Sequence, residues 1–92
     1  MIVSFRDADT EALASGQPVR RFAGIAAVAR RKLRQLQIAG RLDDLRIPPG
    51  NRLEALKGGR AGQHSIRVYD QFRVCFRWTS AGPDGVEIVD YH

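Results

Sequence analysis

Asp90, Tyr91 and His92 place a carboxylate, a phenol and an imidazole in consecutive positions. His92 can take or give a proton near neutral pH, and Asp90 can orient it or raise its pKa. Taken alone, a histidine so placed is more often frayed and without a role. An acid–base set becomes useful beside a group that holds a charged substrate, and Arg67 and Arg73 are the candidates. Ile66 and Val68 share one face of a strand candidate, and Phe72, Val74, Phe76 and Trp78 share one face of the next. Both apolar sets meet the same core only if Val68 opposes Phe72 and Ile66 opposes Val74. That register needs the odd loop Tyr69-Asp70-Gln71 and sets Arg67 opposite Arg73 on the other face. Like charges directly opposed destabilise a sheet by up to roughly 1 kcal/mol. No acid lies between them, although Asp70 or Asp90 could reach in. An arginine couple of this kind suits a polyanion, since guanidinium forks grip phosphate and a nearby phenol stacks on a base or donates a proton. The alternative is a structural pair whose counter-charges come from the helices or the C-terminal residues.

The same pairing argument sets Phe76 opposite Ile88 and Trp78 opposite Val86. Arg73 then lies beside Tyr91, and Arg77 pairs with Glu87 as an ordinary cross-strand ion pair worth little. Strict alternation turns His92 away from the arginine face, so the strand end must twist for it to join. Lys57 ends the preceding strand candidate, followed by Gly58-Gly59-Arg60-Ala61-Gly62. This glycine-rich loop lacks the spacing of a nucleotide-triphosphate loop and enters no helix.

The elements that must position these groups follow from the hydropathy pattern. Ile2 to Phe5 is expected as a short strand, and Asp7 or Asp9 as the cap of a brief helix through Leu13. Ile25, Val28 or Ala29, Leu33 and Leu36 predict a main helix over Phe22 to Ala39, stopped at Gly40. Its opposite face carries Arg30, Arg31, Lys32 and Arg34, a cluster readable as a solvated or partner-facing surface or as an RNA contact. Leu42 to Asn51 forms a connector stiffened by Pro48 and Pro49. Alternation then predicts strands over Leu53–Lys57, Ser65–Val68, Phe72–Trp78 and Val86–Tyr91. Helices first and strands afterwards indicate an α+β fold, with two N-terminal helices on one face of a mainly antiparallel sheet of four to five strands.

With 92 residues, 43% hydrophobic and 27% charged, the chain is expected to form a single domain, 1–92, around a small core. Fifteen Lys and Arg against ten Asp and Glu give a net charge of +5, and thirteen of the cations are Arg. An arginine-dominated excess favours nucleic acid as a partner. The bland alternative is a solvated surface under arginine-rich codon usage. Cys75 is the single cysteine, so no disulfide framework or thiolate metal cluster is available. No metal-ligand spacing is visible and no cofactor is expected. The absence of a long apolar run or a signal-like start points to the cytoplasm and away from membranes.

The chain resembles HigB-type toxins of the RelE superfamily. The resemblance rests on Leu56-Lys57-Gly58-Gly59-Arg60 with Ser65-Ile66-Arg67-Val68, on Asp70-Gln71-Phe72-Arg73-Val74-Cys75-Phe76-Arg77-Trp78, and on Val86-Glu87-Ile88-Val89-Asp90-Tyr91-His92. Ile2-Val3-Ser4-Phe5 and Pro48-Pro49-Gly50-Asn51-Arg52-Leu53-Glu54-Ala55 resemble the branch called HigB or GraT. The resemblance implies a RelE-like fold and a ribosome-dependent, metal-independent mRNA endoribonuclease. It implies Lys57, Arg73, Asp90, Tyr91 and His92 as the catalytic group, with Arg67, Arg60 and Tyr69 binding RNA. Some relatives carry arginine where this chain has Tyr69, and others asparagine; Gly59 stands where aspartate is common. The implied partners are a HigA- or GraA-like helix-turn-helix antitoxin, the 70S ribosome with mRNA in its A site, and operator DNA through the antitoxin complex alone. A gyrase-blocking relative of ParE type, or an RNA- or ribosome-binding module without chemistry, would share the basic face but leave transcripts intact.

Overall fold

The computed structural model describes residues 1–90. Asp7 caps the first helix, α1 (Ala8–Ala14), by accepting a hydrogen bond from the Thr10 N–H. Of the two expected caps, Asp7 holds the position, and Asp9 instead pairs with Arg21. The expected long helix is split. Residues 20–25 form 3₁₀ turns, and α2 runs Ala26–Ile38. Gly24 and the β-branched neighbours of this entry weaken α-helix, whereas Ala26 onward is rich in strong helix formers.

Four strands follow, β1 (Glu54–Ala55), β2 (His64–Tyr69), β3 (Phe72–Thr79) and β4 (Gly82–Asp90), in one antiparallel sheet of order β1-β2-β3-β4. Ile66 opposes Val74 and Arg67 opposes Arg73, as the apolar alternation requires. The odd residue count is met differently from expectation. Tyr69, not Val68, opposes Phe72, so a bulge between Arg67 and Tyr69 and the turn Asp70-Gln71 replace a three-residue loop. Val68 keeps its core face, and the arginines keep theirs.

The β3–β4 register differs from the sequence expectation by two residues on one side of a bulge and by three on the other. Val74, not Phe76, opposes Ile88, and Trp78 opposes Pro83 rather than Val86. The hairpin turns at Ser80-Ala81, and Gly82 to Gly85 belong to β4 instead of a loop. Gly85 has φ +61 beside a second register shift between Cys75 and Arg77, so a bulge admits the Pro-Gly segment into the strand. In this register Arg73 opposes Val89 rather than Tyr91, and Cys75, not Arg77, opposes Glu87. The expected Leu53–Lys57 strand shrinks to two residues. The expected first strand is a single parallel bridge, Phe5 to Val86, with the Val3 N–H donating to the Pro83 carbonyl at 2.7 Å.

The core lies between the helices and one face of the sheet. Leu13, Phe22, Leu33, Leu36 and Leu45 pack there with Ile66, Val74, Phe76, Val86 and Ile88, while Phe72 and Trp78 close its margin. Full burial of such side chains contributes about 1.5–3 kcal/mol each before entropy is counted. Thr10 is wholly buried, and its hydroxyl accepts the Ile88 N–H at 3.1 Å, joining α1 to β4. Thr10→Val keeps the shape but strands that donor, so we expect a loss of about 1–3 kcal/mol in urea denaturation. Thr10→Ser should retain most of the stability; equal stability of the valine and wild-type proteins would contradict this role.

Asn51 secures the connector. Wholly buried, it donates to Gln35 Oε1 at 2.8 Å and to the Leu45 carbonyl at 3.1 Å, and accepts from Lys32 Nζ at 2.5 Å. Burial, and then Arg31, hold the Lys32 pKa below its ordinary 10.5. Between that lowered folded value and 10.5 the unfolded chain binds more protons at this site, so stability should rise with pH across the window. Lys32→Met should lack this rise in urea titrations stepped through the window; an unchanged slope would exclude Lys32 as its source.

Candidate functional site

The sheet face turned away from the helices carries Ser65, Arg67, Arg73, Cys75 and Glu87, as the register and strand alternation dictate. Arg73 is fixed by two neutral acceptors. Its Nε donates to Ser65 Oγ at 2.7 Å, and its terminal nitrogen donates to the Arg52 carbonyl at 2.8 Å. Neither acceptor carries charge, and among the described residues no acid forms an ion pair with Arg73. The guanidinium is thus oriented while its charge stays available. Arg67, directly opposite, is paired with Asp70 across the turn. The acid that could reach in does so, on Arg67 and not on Arg73.

Arg67, Tyr69 and Arg73 line one cleft of about 280 Å³ together with Arg52 and Asp70. Arg52 and the Ser65 clamp were not anticipated. Arg52 adopts a left-handed backbone, φ 47, directly after the buried Asn51. Its carbonyl thereby reaches Arg73. No sequence signal marks a non-glycine residue for that conformation. The Ser65 clamp follows from pairing Ser65 with Cys75 in the same register that was read for the arginines.

Lys57 lies apart from this cleft. It is exposed, caps the 3₁₀ turn Gly58–Arg60, and lines a second recess with Glu54, Ala55, Leu56 and Arg60. Arg60 donates to Gln63 and, at 2.7 Å, to Glu87, which is only 17% exposed. Glu87 therefore pairs with Arg60, with Arg6 at 3.9 Å, and not with Arg77 as the sequence suggested. Arg77 instead points at the Gly62 carbonyl, and its guanidinium fills the space beside that glycine, whose φ is +91. The 58–62 loop that follows Lys57 is thus tied to the sheet from both sides. Asp90 is exposed at the sheet's end, opposite Phe72, and does not line the arginine cleft. Tyr91 and His92 lie outside the described residues.

Residues 16–92 match a family model described as HigB-like toxin, the RelE-like toxin of the type II toxin–antitoxin system HigB. The chain belongs to the HigB-like toxin family. Toxin HigB-1 of Vibrio cholerae serotype O1 is 49% identical over 61 residues, covering 66% of this chain and 60% of that relative. The match thus spans less than two thirds of the relative's length. In this HigB-like chain the segment matched by the family model includes both sides of the cleft, from Arg52 to Arg73, and Lys57 in the second recess. No helix among the described residues is long and apolar enough to cross a membrane.

Proposed function

We propose that residues 1–92 form a single RelE-like toxin domain, two N-terminal helices on the sheet, that cleaves mRNA in the A site of the 70S ribosome without a metal ion. A HigA- or GraA-like helix-turn-helix antitoxin holds it in check, and the toxin reaches operator DNA only through that complex. Its place of action is the cytoplasm. The observation that carries this reading is Arg73, oriented by Ser65 and the Arg52 carbonyl and left without an acid partner among the described residues, opposite Arg67 on the sheet face turned away from the helices.

Cleavage uses the substrate's own 2′-hydroxyl. A base removes its proton, the 2′-oxygen bonds to phosphorus, and the bond to the 5′-oxygen breaks as that oxygen takes up a proton. A 2′,3′-cyclic phosphate and a 5′-hydroxyl result. Arg73, with Lys57 and Arg67, stabilises the charge that builds on the phosphorane oxygens. His92 transfers protons with help from Asp90, and Tyr91 and Tyr69 order the nucleotide. Arg60, held by Glu87, contributes to the RNA path through the loop that bears Lys57. Ribosomal RNA supplies the rest of the substrate's order.

Induced in a bacterial host, the protein should arrest growth and truncate reporter transcripts, and the Arg73→Ala/His92→Ala protein should do neither. Growth arrest with intact transcripts would contradict the nuclease reading. A rise in DNA-damage response would then point to gyrase, and its absence to simple ribosome binding.

A further inference from the structure

Arg52 lines the same cleft as Arg67, Tyr69 and Arg73, yet the cleavage chemistry gives it no role. Arg52 is exposed, and among the described residues its guanidinium has no ion-pair partner. Its left-handed backbone is uncommon for a residue with a side chain. Asn51 and the Arg73 contact hold it there. Tyr69 stands 46% exposed on the rim, at the β2 bulge.

Asp70 offsets part of the positive charge that Arg52, Arg67 and Arg73 bring together in the cleft. Its carboxylate is 90% exposed and grips Arg67 from the turn. An exposed pair of this kind contributes little, so Asp70 is a readily exchanged counter-ion. A phosphodiester offers the same geometry to two forks at once, Arg67 and Arg52, and therefore outcompetes it.

We infer that Arg52, Arg67 and Tyr69 form a nucleotide subsite beside the scissile position, in which an RNA backbone phosphate displaces Asp70 from Arg67 and the adjoining base stacks on Tyr69. The inference rests on the RNA-cleaving reading and adds to it a residue, Arg52, and an exchange at Asp70. A carboxylate-bearing protein segment would satisfy the arginines, but it would leave the exposed Tyr69 without a partner.

The test is fluorescence anisotropy of a short RNA, 2′-O-methylated throughout so that it cannot be cut, titrated with each protein at several salt concentrations. Arg52→Ala should weaken binding about tenfold and lower the salt slope by about one. Asp70→Asn should tighten it roughly threefold, because the competing carboxylate is gone. A gain of affinity cannot arise from misfolding. Tyr69→Phe should match the wild type and Tyr69→Ala should weaken binding about tenfold. Arg46→Ala, an exposed cation paired with Asp43, should be silent. If Arg52→Ala behaves like Arg46→Ala, or Asp70→Asn loses affinity, the subsite is wrong. If Arg73→Ala also binds as the wild type does, the RNA-site reading itself fails. Loss at Arg73 alone overturns the subsite and spares that reading.

Discussion

Arg73→Ala should lower single-turnover cleavage of ribosome-bound mRNA by about 10²–10³-fold, the typical cost of removing one preorganised group from a developing charge. Arg73 combines a fixed orientation with an uncompensated charge. Ser65 Oγ and the Arg52 carbonyl hold the fork by two edges. Arg73→Lys should recover little of the loss, because an ammonium cannot reach both acceptors and present a planar fork to phosphate. The fold should survive. Removing one of two opposed cations relieves a repulsion of up to roughly 1 kcal/mol, against which the loss of two hydrogen bonds is set. Urea denaturation of Arg73→Ala should therefore stay within about 1 kcal/mol of the wild type. Full activity in Arg73→Ala, or inactivity accompanied by unfolding, would remove Arg73 from the chemistry.

Asn51→Ala should produce the largest stability loss, about 3 kcal/mol, by removing three hydrogen bonds of a wholly buried side chain, one of them to the buried Leu45 carbonyl. For a domain of this size that corresponds to a melting temperature lower by on the order of 15 °C. The half-buried Lys32 also loses the acceptor of its ammonium. The effect should extend to function. Asn51 precedes Arg52, whose carbonyl orients Arg73. Well below its melting point, Asn51→Ala should bind RNA less tightly than the wild type. Asn51→Asp should fall between the two in stability, keeping an acceptor for Lys32 but losing both donated bonds. Wild-type melting in Asn51→Ala would show that the connector is held by other contacts.

The arginine couple was legible because period-two alternation admits a single register once two apolar faces must meet one core; Ile66 against Val74 carried Arg67 against Arg73 with it. The bulge changed the turn and left that pairing intact. The β3–β4 register was not legible. Gly82-Pro83-Asp84-Gly85 has the composition of a loop, yet it lies within β4. The Pro83 carbonyl accepts from Val3, and Gly85 takes a positive φ. Proline and glycine disfavour strands locally, and the long-range pairing with residues 3–6 overrides them here. The split of the main helix at Ala26 followed from a run whose helical period continues through a weak helix former, Gly24. At the site, the strand register singled out Arg67 and Arg73 and the family resemblance added Tyr69, and the fold gathers all three in one cleft. Arg52 was invisible because its contribution depends on a backbone conformation and a carbonyl, neither of which residue type encodes. The pairing of Glu87 with Arg60 in place of Arg77 follows from the same two-residue register difference.

The most direct test of the central claim is primer extension on a defined mRNA incubated with the purified protein, with and without translating ribosomes, in a chelator concentration that translation tolerates. The account predicts cuts at codon-phased positions only when ribosomes are present, products that carry 2′,3′-cyclic phosphate ends, and their loss in both Arg73→Ala and His92→Ala. Intact mRNA in every lane, or cuts that persist undiminished in both variants, would contradict it.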